Sequence, residues 1–183
     1  MASGNLNKEK GKRGERELCK ILEKEFGGSW IRTAGSGNYV GGINAKRAQY
    51  LSETQLLSAR NDIIPPDEYK FAAVECKNYE DFEFHLLFKP TGASKLNKWI
   101  DQVKESSYDE INDFPCICFK PNRKGWYLVC KLEYVSQLDL GKLNFSIYRY
   151  KEKAYLITDM LEFFHTYKEE IKDLFTNGCS RFH

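Results

Sequence analysis

The chain has 183 residues, which is the size of one folded domain. Apolar residues make up 42% of it and charged residues 30%, a balance that is typical of a soluble globular protein and excludes a disordered one. No apolar run approaches the roughly 18 residues that a transmembrane helix needs, and no secretory signal follows the charged N-terminus. We therefore expect an intracellular protein with no membrane partner.

The net charge of +2 conceals an uneven distribution. Residues 1–60 carry 11 basic and 6 acidic side chains, whereas residues 61–183 carry 17 and 20. A basic N-terminal third indicates an anionic partner on one side of the molecule. Lys12, Arg13 and Arg16 belong to a basic run that is compatible both with a DNA-contacting segment and with a solvated tail.

Six cysteines are spread along the chain. A chain of this size without a signal peptide does not predict a disulfide framework. Cys116 and Cys118 are separated by one residue, whereas zinc sites typically use two. We expect these cysteines to be small buried hydrophobic side chains.

The periodicity of the apolar residues predicts one α/β domain over 1–183. It begins with a polar segment, 1–10, that we expect to be flexible, and continues as an amphipathic helix over 12–26. Two segments are interpreted as additions to the domain, an insertion at 38–60 and a C-terminal extension at 140–183. The other predicted elements are strands at 29–33, 62–64, 71–79 and 82–88, a helix at 94–108, strands at 115–120 and 126–130, a hairpin at 144–158 and a helix at 159–175.

The strand at 71–79 carries the first candidate chemistry. Because strand side chains alternate between the two faces, Glu75 and Lys77 project side by side near its end. A carboxylate in that position is costly unless it is paired or binds a metal ion. Taken alone, this E-x-K pattern is more simply explained by a salt bridge at the end of a strand.

Asp62 and Glu15 add two further carboxylates. Asp62 starts another apolar strand 13 residues before Glu75, so that two adjacent strands can bring the pair together, although an aspartate that starts a strand is common. Two converging carboxylates suit a hard divalent cation such as Mg²⁺. Glu15 lies on the apolar stripe of the first helix, where a carboxylate needs a cation or a hydrogen-bond donor. The alternative is a first-turn glutamate that the helix dipole favours.

These residues lie within four motifs that occur in a fixed order. The motifs are G-E-R-E-L at 14–18, R-T-A-G-S-G at 32–37, D-I at 62–63 and V-E-C-K at 74–77. The set resembles the archaeal-type Holliday junction resolvases of the PD-(D/E)-x-K nuclease superfamily. The resemblance covers roughly residues 10–80 and, more loosely, 115–130.

The resemblance implies a restriction-endonuclease-like α/β fold, with a central mixed sheet of four or five strands flanked by helices. It implies an endonuclease that depends on Mg²⁺, with Mn²⁺ as an alternative, and that acts on four-way DNA junctions as a homodimer. In that family the matched residues bind the metal or cut DNA: Glu15, Asp62 and Glu75 as metal ligands, with Lys77 as a further catalytic residue. The expected DNA contacts are Arg16, Arg32 and Ser36, with Lys12 and Arg13 of the basic run beside them.

The sequence departs from this pattern at Asn61, where the superfamily commonly has Pro or Gly, and in the long insertion at 38–60. The insertion could redirect the active site to another substrate. Two alternatives therefore stay open: another PD-(D/E)-x-K endonuclease of the repair, recombination or restriction type, and a DNA-binding module that has lost catalysis. Gln102, on the helix after the E-x-K strand, occupies a place where related nucleases sometimes have a polar active-site residue, but we expect it to face solvent.

Overall fold

The computed structural model describes residues 3–33, 61–79, 81–89, 92–106 and 113–179, without the side chains of 3–8 and 105–106. Ser36 and the predicted insertion at 38–60 lie outside these ranges. The helices and strands are, in chain order, α1 (Ser3–Phe26), β1 (Ile31–Arg32), β2 (Ile63–Ile64), β3 (Ala72–Tyr79), α2 (Ser94–Ser106), β4 (Phe114–Pro121), β5 (Tyr127–Lys131), β6 (Phe145–Tyr150), β7 (Lys153–Asp159), α3 (Met160–Thr166) and α4 (Lys168–Asn177).

The strands form one mixed sheet of seven strands in the order β1-β2-β3-β4-β5-β7-β6. β3 and β4 pair in parallel, with Ala72 opposite Phe114, and α2 lies in the crossover that a parallel pair requires. The other neighbouring strands are antiparallel. The α/β class and the flanking helices agree with the restriction-endonuclease-like fold that was expected. The sheet is larger than the four or five strands expected, because the β6–β7 hairpin joins its far edge.

Apolar side chains fill both faces of the sheet. α1, α3 and α4 cover one face, where Leu22, Phe164 and Phe175 are fully buried. α2 covers the other face, where the rings of Trp99 and Phe119 lie 5.6 Å apart. Side chains of β3 therefore point alternately toward α1 and toward α2, and this alternation decides which of them can reach the candidate site.

Several predicted elements differ from the structure in extent or type. α1 begins at Ser3, so most of the segment expected to be flexible is helical. The stretch 82–88 contains no strand but a 3₁₀ turn at Phe84–Phe88, because Phe82 turns inward onto Trp99 and the neighbouring β4. The single helix predicted at the end of the chain is two helices, α3 and α4, which meet at the non-helical backbone of Tyr167.

All six cysteines are buried as free thiols. Cys116 and Cys118 both face the α1 side of the sheet within its apolar core, as expected for small hydrophobic side chains. Within the described ranges, no helix combines the length and the apolar character needed to cross a membrane.

Candidate active site

The candidate site lies at the edge where the short strand β2 meets β3. The two strands pair through Ile63 and Val74, which places Asp62, one residue before β2, beside β3. The Asp62 carboxylate accepts a hydrogen bond from the backbone N–H of Cys76 at 3.0 Å, and Asp62 is only 7% exposed. The spacing argument therefore correctly predicts that Asp62 and Glu75 converge.

Glu75 is the centre of the site. Its Oε1 lies 2.5 Å from Nζ of Lys77, and the amide nitrogen of Gln102 donates to the same oxygen at 2.7 Å. Burial and, to a smaller extent, the charge of Asp62 raise the pKa of Glu75, Lys77 lowers it, and the net result is a pKa of about 7. Among the described residues, Lys77 therefore does not fully compensate the two carboxylates, and the site favours additional positive charge at neutral pH.

Gln102 is exposed, as expected, yet it also contacts the site. Its amide group reaches inward from α2 and donates to Glu75. The sequence signal for this contact is weak, because Gln102 lies at the flank of the apolar stripe of α2, one turn after the buried Trp99. A polar side chain at that position of an amphipathic helix is placed to meet a polar group of the sheet.

Glu15 is held by an ion pair next to the central carboxylates. Nη1 of Arg32 donates to Oε2 of Glu15 at 3.1 Å and to the carbonyl of Thr33 at 3.3 Å. The backbone N–H of Thr33 in turn donates to the carbonyl of Asp62 at 2.9 Å. Burial raises the pKa of Glu15, the hydrogen bond from Arg32 opposes this, and the charge of Asp62 adds to it. Arg32 is thus the donor that a carboxylate on the apolar stripe requires.

The pair Asp62 and Glu75 fits a divalent cation. Mg²⁺ is usually bound by one or two carboxylates, while water and phosphate oxygens complete its shell. Within the described ranges, no three acidic, histidine or cysteine side chains lie close enough to hold an ion together. Glu15, which pairs with Arg32, therefore does not form a three-carboxylate group with the other two, and its role as a metal ligand stays a prediction.

Gly14 allows α1 to approach β3 closely. A Cβ atom at position 14 would lie 2.7 Å from the Cβ of Asn78, whose amide nitrogen donates to the carbonyl of Lys10 at 2.8 Å. One turn further on, Glu17 accepts hydrogen bonds from a lysine of β4 and a tryptophan before β5. These contacts fix α1 against the end of β3 and so determine where Glu15 lies.

Three of the basic residues expected to contact DNA share one side of α1. Arg16 lies four residues after Lys12 and three after Arg13, which are the two spacings that bring helix side chains together. Lys12 forms an ion pair with Glu9 at 2.9 Å, and both arginines are exposed. The two arginines are therefore accessible on one side of the helix.

Comparisons with known proteins bear on the nuclease superfamily that the motifs indicated. A family model described as "Phage putative PDDEXK endonuclease" matches residues 6–173. Protein D14 of Escherichia phage T5 is 29% identical over 124 residues, which is 67% of this chain and 69% of that protein. No solved structure matches the chain significantly. The matched range contains every residue of the site described above.

Proposed function

This chain belongs to the phage PDDEXK endonuclease family, and from that premise we propose that it hydrolyses phosphodiester bonds of DNA with the help of a divalent metal ion. The observation that supports the proposal is the buried pair of Asp62 and Glu75, with Lys77 and Gln102 both bound to one oxygen of Glu75. A simple salt bridge between Glu75 and Lys77 at a strand end requires neither Asp62 nor Gln102. A nuclease site uses both, Asp62 as a second metal ligand and Gln102 to orient Glu75.

Asp62 and Glu75 are the residues that would hold the cation. The backbone N–H of Cys76 fixes the orientation of the Asp62 carboxylate, and Gln102 does the same for Glu75. When bound, Mg²⁺ or Mn²⁺ supplies positive charge that favours ionisation of the attacking water and stabilises the negative charge developing on the phosphate.

Lys77 acts in this proposal as a charged hydrogen-bond donor. Burial lowers the pKa of Lys77, but the charges of Glu75 and Asp62 outweigh burial and hold this pKa above its ordinary value. The side chain is therefore an ammonium at neutral pH and does not serve as a general base. It is placed to donate to a phosphate oxygen or to the attacking water.

Arg32 supplies a second positive charge beside the carboxylates. Its side chain is 27% exposed while Glu15 holds one of its nitrogens. A guanidinium has five N–H donors, so others are free to contact a phosphate near the cut. Glu15 serves in this arrangement to orient Arg32.

We further propose that the substrate is branched DNA, with the four-way junction as the form to test first. The support is the resemblance of the ordered motifs to junction resolvases, and a homodimer would provide the two sites that paired nicks require. A PD-(D/E)-x-K endonuclease of the repair, recombination or restriction type is the alternative, since it would use the same site. An inactive DNA-binding module is the other alternative.

The test is a cleavage assay on a labelled four-way junction, a splayed duplex, a linear duplex and a single strand, each with Mg²⁺ or with EDTA. We expect Asp62→Asn and Glu75→Gln to reduce cleavage at least about 100-fold, which is the loss found when one group that stabilises transition-state charge is removed. DNA binding should persist in both variants. Asp67→Asn and Glu68→Gln change exposed acids just beyond β2 and serve as matched controls that should cut normally.

Each outcome decides a different point. Paired nicks on the junction alone support a resolvase that acts as a dimer. Cleavage of all four substrates retains the nuclease and overturns junction specificity. Full activity of purified Glu75→Gln overturns the assignment of the site, and tight DNA binding without any cleavage favours the binding module.

A further inference from the structure

Tyr79 continues the line of side chains formed by Glu75 and Lys77. Residues two apart in a strand share a face, so these three project from the same face of β3. Tyr79 stands at the last position of the strand and is 41% exposed. The Tyr79 ring is therefore the next side chain beyond Lys77 on this face of the strand, and a ligand bound at Lys77 can extend onto it.

The Tyr79 ring is held in place by its neighbours. Its centroid lies 5.0 Å from that of Trp99, which is itself buried and stacked on Phe82 at 5.7 Å. The ammonium of Lys95 lies 5.4 Å from the Tyr79 centroid. An aromatic side chain supported in this way presents a preformed surface, so binding to it costs little conformational entropy.

Basic side chains lie next to this ring. Nζ of Lys95 donates to the carbonyl of Asp81 at 3.0 Å, and Nζ of Lys124 lies 3.0 Å from the Asp81 carboxylate. The side chains of Asp81 and Lys124 are 66% and 48% exposed. An exposed ion pair of this kind is weak, so Lys124 is available to an anion. Lys95 makes only an exposed hydrogen bond to a carbonyl, which an anion can replace.

We propose that Tyr79 stacks on an unpaired nucleotide next to the scissile phosphate, while Lys95 and Lys124 contact the neighbouring phosphates. The inference rests on the proposed nuclease function and adds to it the form of the DNA at the cut. Aromatic side chains stack on the bases of single strands, whereas a base inside a duplex is already stacked on its neighbours. A ring beside the catalytic lysine therefore favours DNA that is unpaired at that point, as at a branch.

The test measures binding to a splayed duplex and to a linear duplex of the same sequence, in the Glu75→Gln background so that cleavage does not interfere. We expect Tyr79→Ala to weaken binding of the splayed duplex about tenfold, in the range measured for the loss of one base–aromatic stack. Binding of the linear duplex should not change. Tyr79→Phe keeps the ring and should bind both forms as the parent does.

Phe145 provides a matched control, because it is 40% exposed but lies on β6 at the far edge of the sheet. Phe145→Ala should leave both affinities unchanged. A 2-aminopurine placed at the first unpaired position reports stacking directly through its fluorescence, which a merely structural role of Tyr79 would not change. Its fluorescence should be quenched by the parent and by Tyr79→Phe, and not by Tyr79→Ala.

An equal loss of affinity for both DNA forms in Tyr79→Ala, or unchanged quenching, overturns the stacking role. Neither result bears on catalysis, because the parent of these variants does not cut. Conversely, if the native protein cuts no DNA at all, the binding difference between splayed and linear duplex still decides the role of Tyr79. The two proposals therefore fail separately.

Discussion

Glu75 is buried beside a second carboxylate, so its ionisation depends on the positive charge that is present. Burial, with the charge of Asp62, raises its pKa to about 7 from an ordinary value of 4.5. At a pH between 4.5 and about 7, the Glu75 carboxyl is ionised in the unfolded chain but stays protonated in the folded protein. A rise in pH then favours the unfolded state, because the unfolded state binds fewer protons.

We expect the metal-free protein to lose stability as the pH rises from about 4.5 to about 7, by roughly 3 kcal/mol from this residue. Glu75→Gln should remove that part of the slope, whereas the exposed Glu68→Gln should not. At pH 8, Mg²⁺ should raise the melting temperature of the native protein more than that of Glu75→Gln, because the ion binds the charged carboxylate. Thermal unfolding with EDTA or Mg²⁺ across this pH range measures both effects, and identical slopes in Glu75→Gln and the native protein would contradict the argument.

Some residues of the site could be predicted from the local sequence pattern, and others could not. Asp62, Glu75 and Lys77 follow from strand alternation and from the short distance in sequence between two strands. Gln102 depends on where α2 crosses the sheet, which is a property of the whole packing arrangement. Arg32 was assigned to DNA, and its ion pair with Glu15 could not be predicted because the intervening chain sets the distance between α1 and β1.

The position of α1 depends on a close contact with β3. At Gly14 an added Cβ would meet Asn78 at 2.7 Å, whereas at Gly11 it would meet only a carboxylate oxygen of Glu15 at 4.0 Å. Both glycines lie in the same helix, where alanine is otherwise preferred by about 1 kcal/mol. The two positions therefore separate helix propensity from contact with the sheet.

We expect Gly14→Ala to destabilise the protein by about 1–3 kcal/mol, as overpacking at a tight contact does. It should also lower cleavage, because a shift of α1 moves Glu15 and its partner Arg32. Gly11→Ala should stabilise the protein by up to about 1 kcal/mol and preserve cleavage. Urea unfolding and a cleavage assay on both variants measure this, and a stabilised, fully active Gly14→Ala would show that the contact is not tight.

Helices and strands could be predicted from the sequence where the apolar pattern is long. They were harder to predict where contacts between distant residues determine the backbone conformation. The eight-residue strand β3 and the hairpin of β6 and β7 were predicted from alternation and confirmed. The stretch 82–88 has similar apolar content, yet Phe82 and Phe84 turn inward, Phe88 is 76% exposed, and the backbone of Phe84–Phe88 forms a 3₁₀ turn. The break at Tyr167 has no sequence signal such as Pro or Gly. The hydroxyl of Tyr167 donates a hydrogen bond to the carbonyl of Asp139, a contact between distant parts of the chain that a local pattern does not reveal.

At the scale of the whole molecule, the region 140–183 was interpreted as a C-terminal extension. Its described part, 140–179, packs into the core of the domain. β7 pairs along its length with β5, and β6 pairs with β7. The ring of Phe26 at the end of α1 lies 5.0 Å from Phe164 of α3 and 5.2 Å from Phe175 of α4. The helix that carries Glu15 is therefore supported by residues more than 100 positions away in sequence.

The short helix α3 allows a matched test of this dependence. Phe164 is fully buried against α1, whereas Leu161 on the same helix is 44% exposed. Phe164→Ala should destabilise the protein by about 3–5 kcal/mol, because it opens a cavity in the core that α1 shares. Leu161→Ala should cost less than about 1 kcal/mol, as expected for a surface position. Chemical denaturation measures both, and a Phe164→Ala variant as stable as Leu161→Ala would mean that the C-terminal region folds apart from the nuclease core.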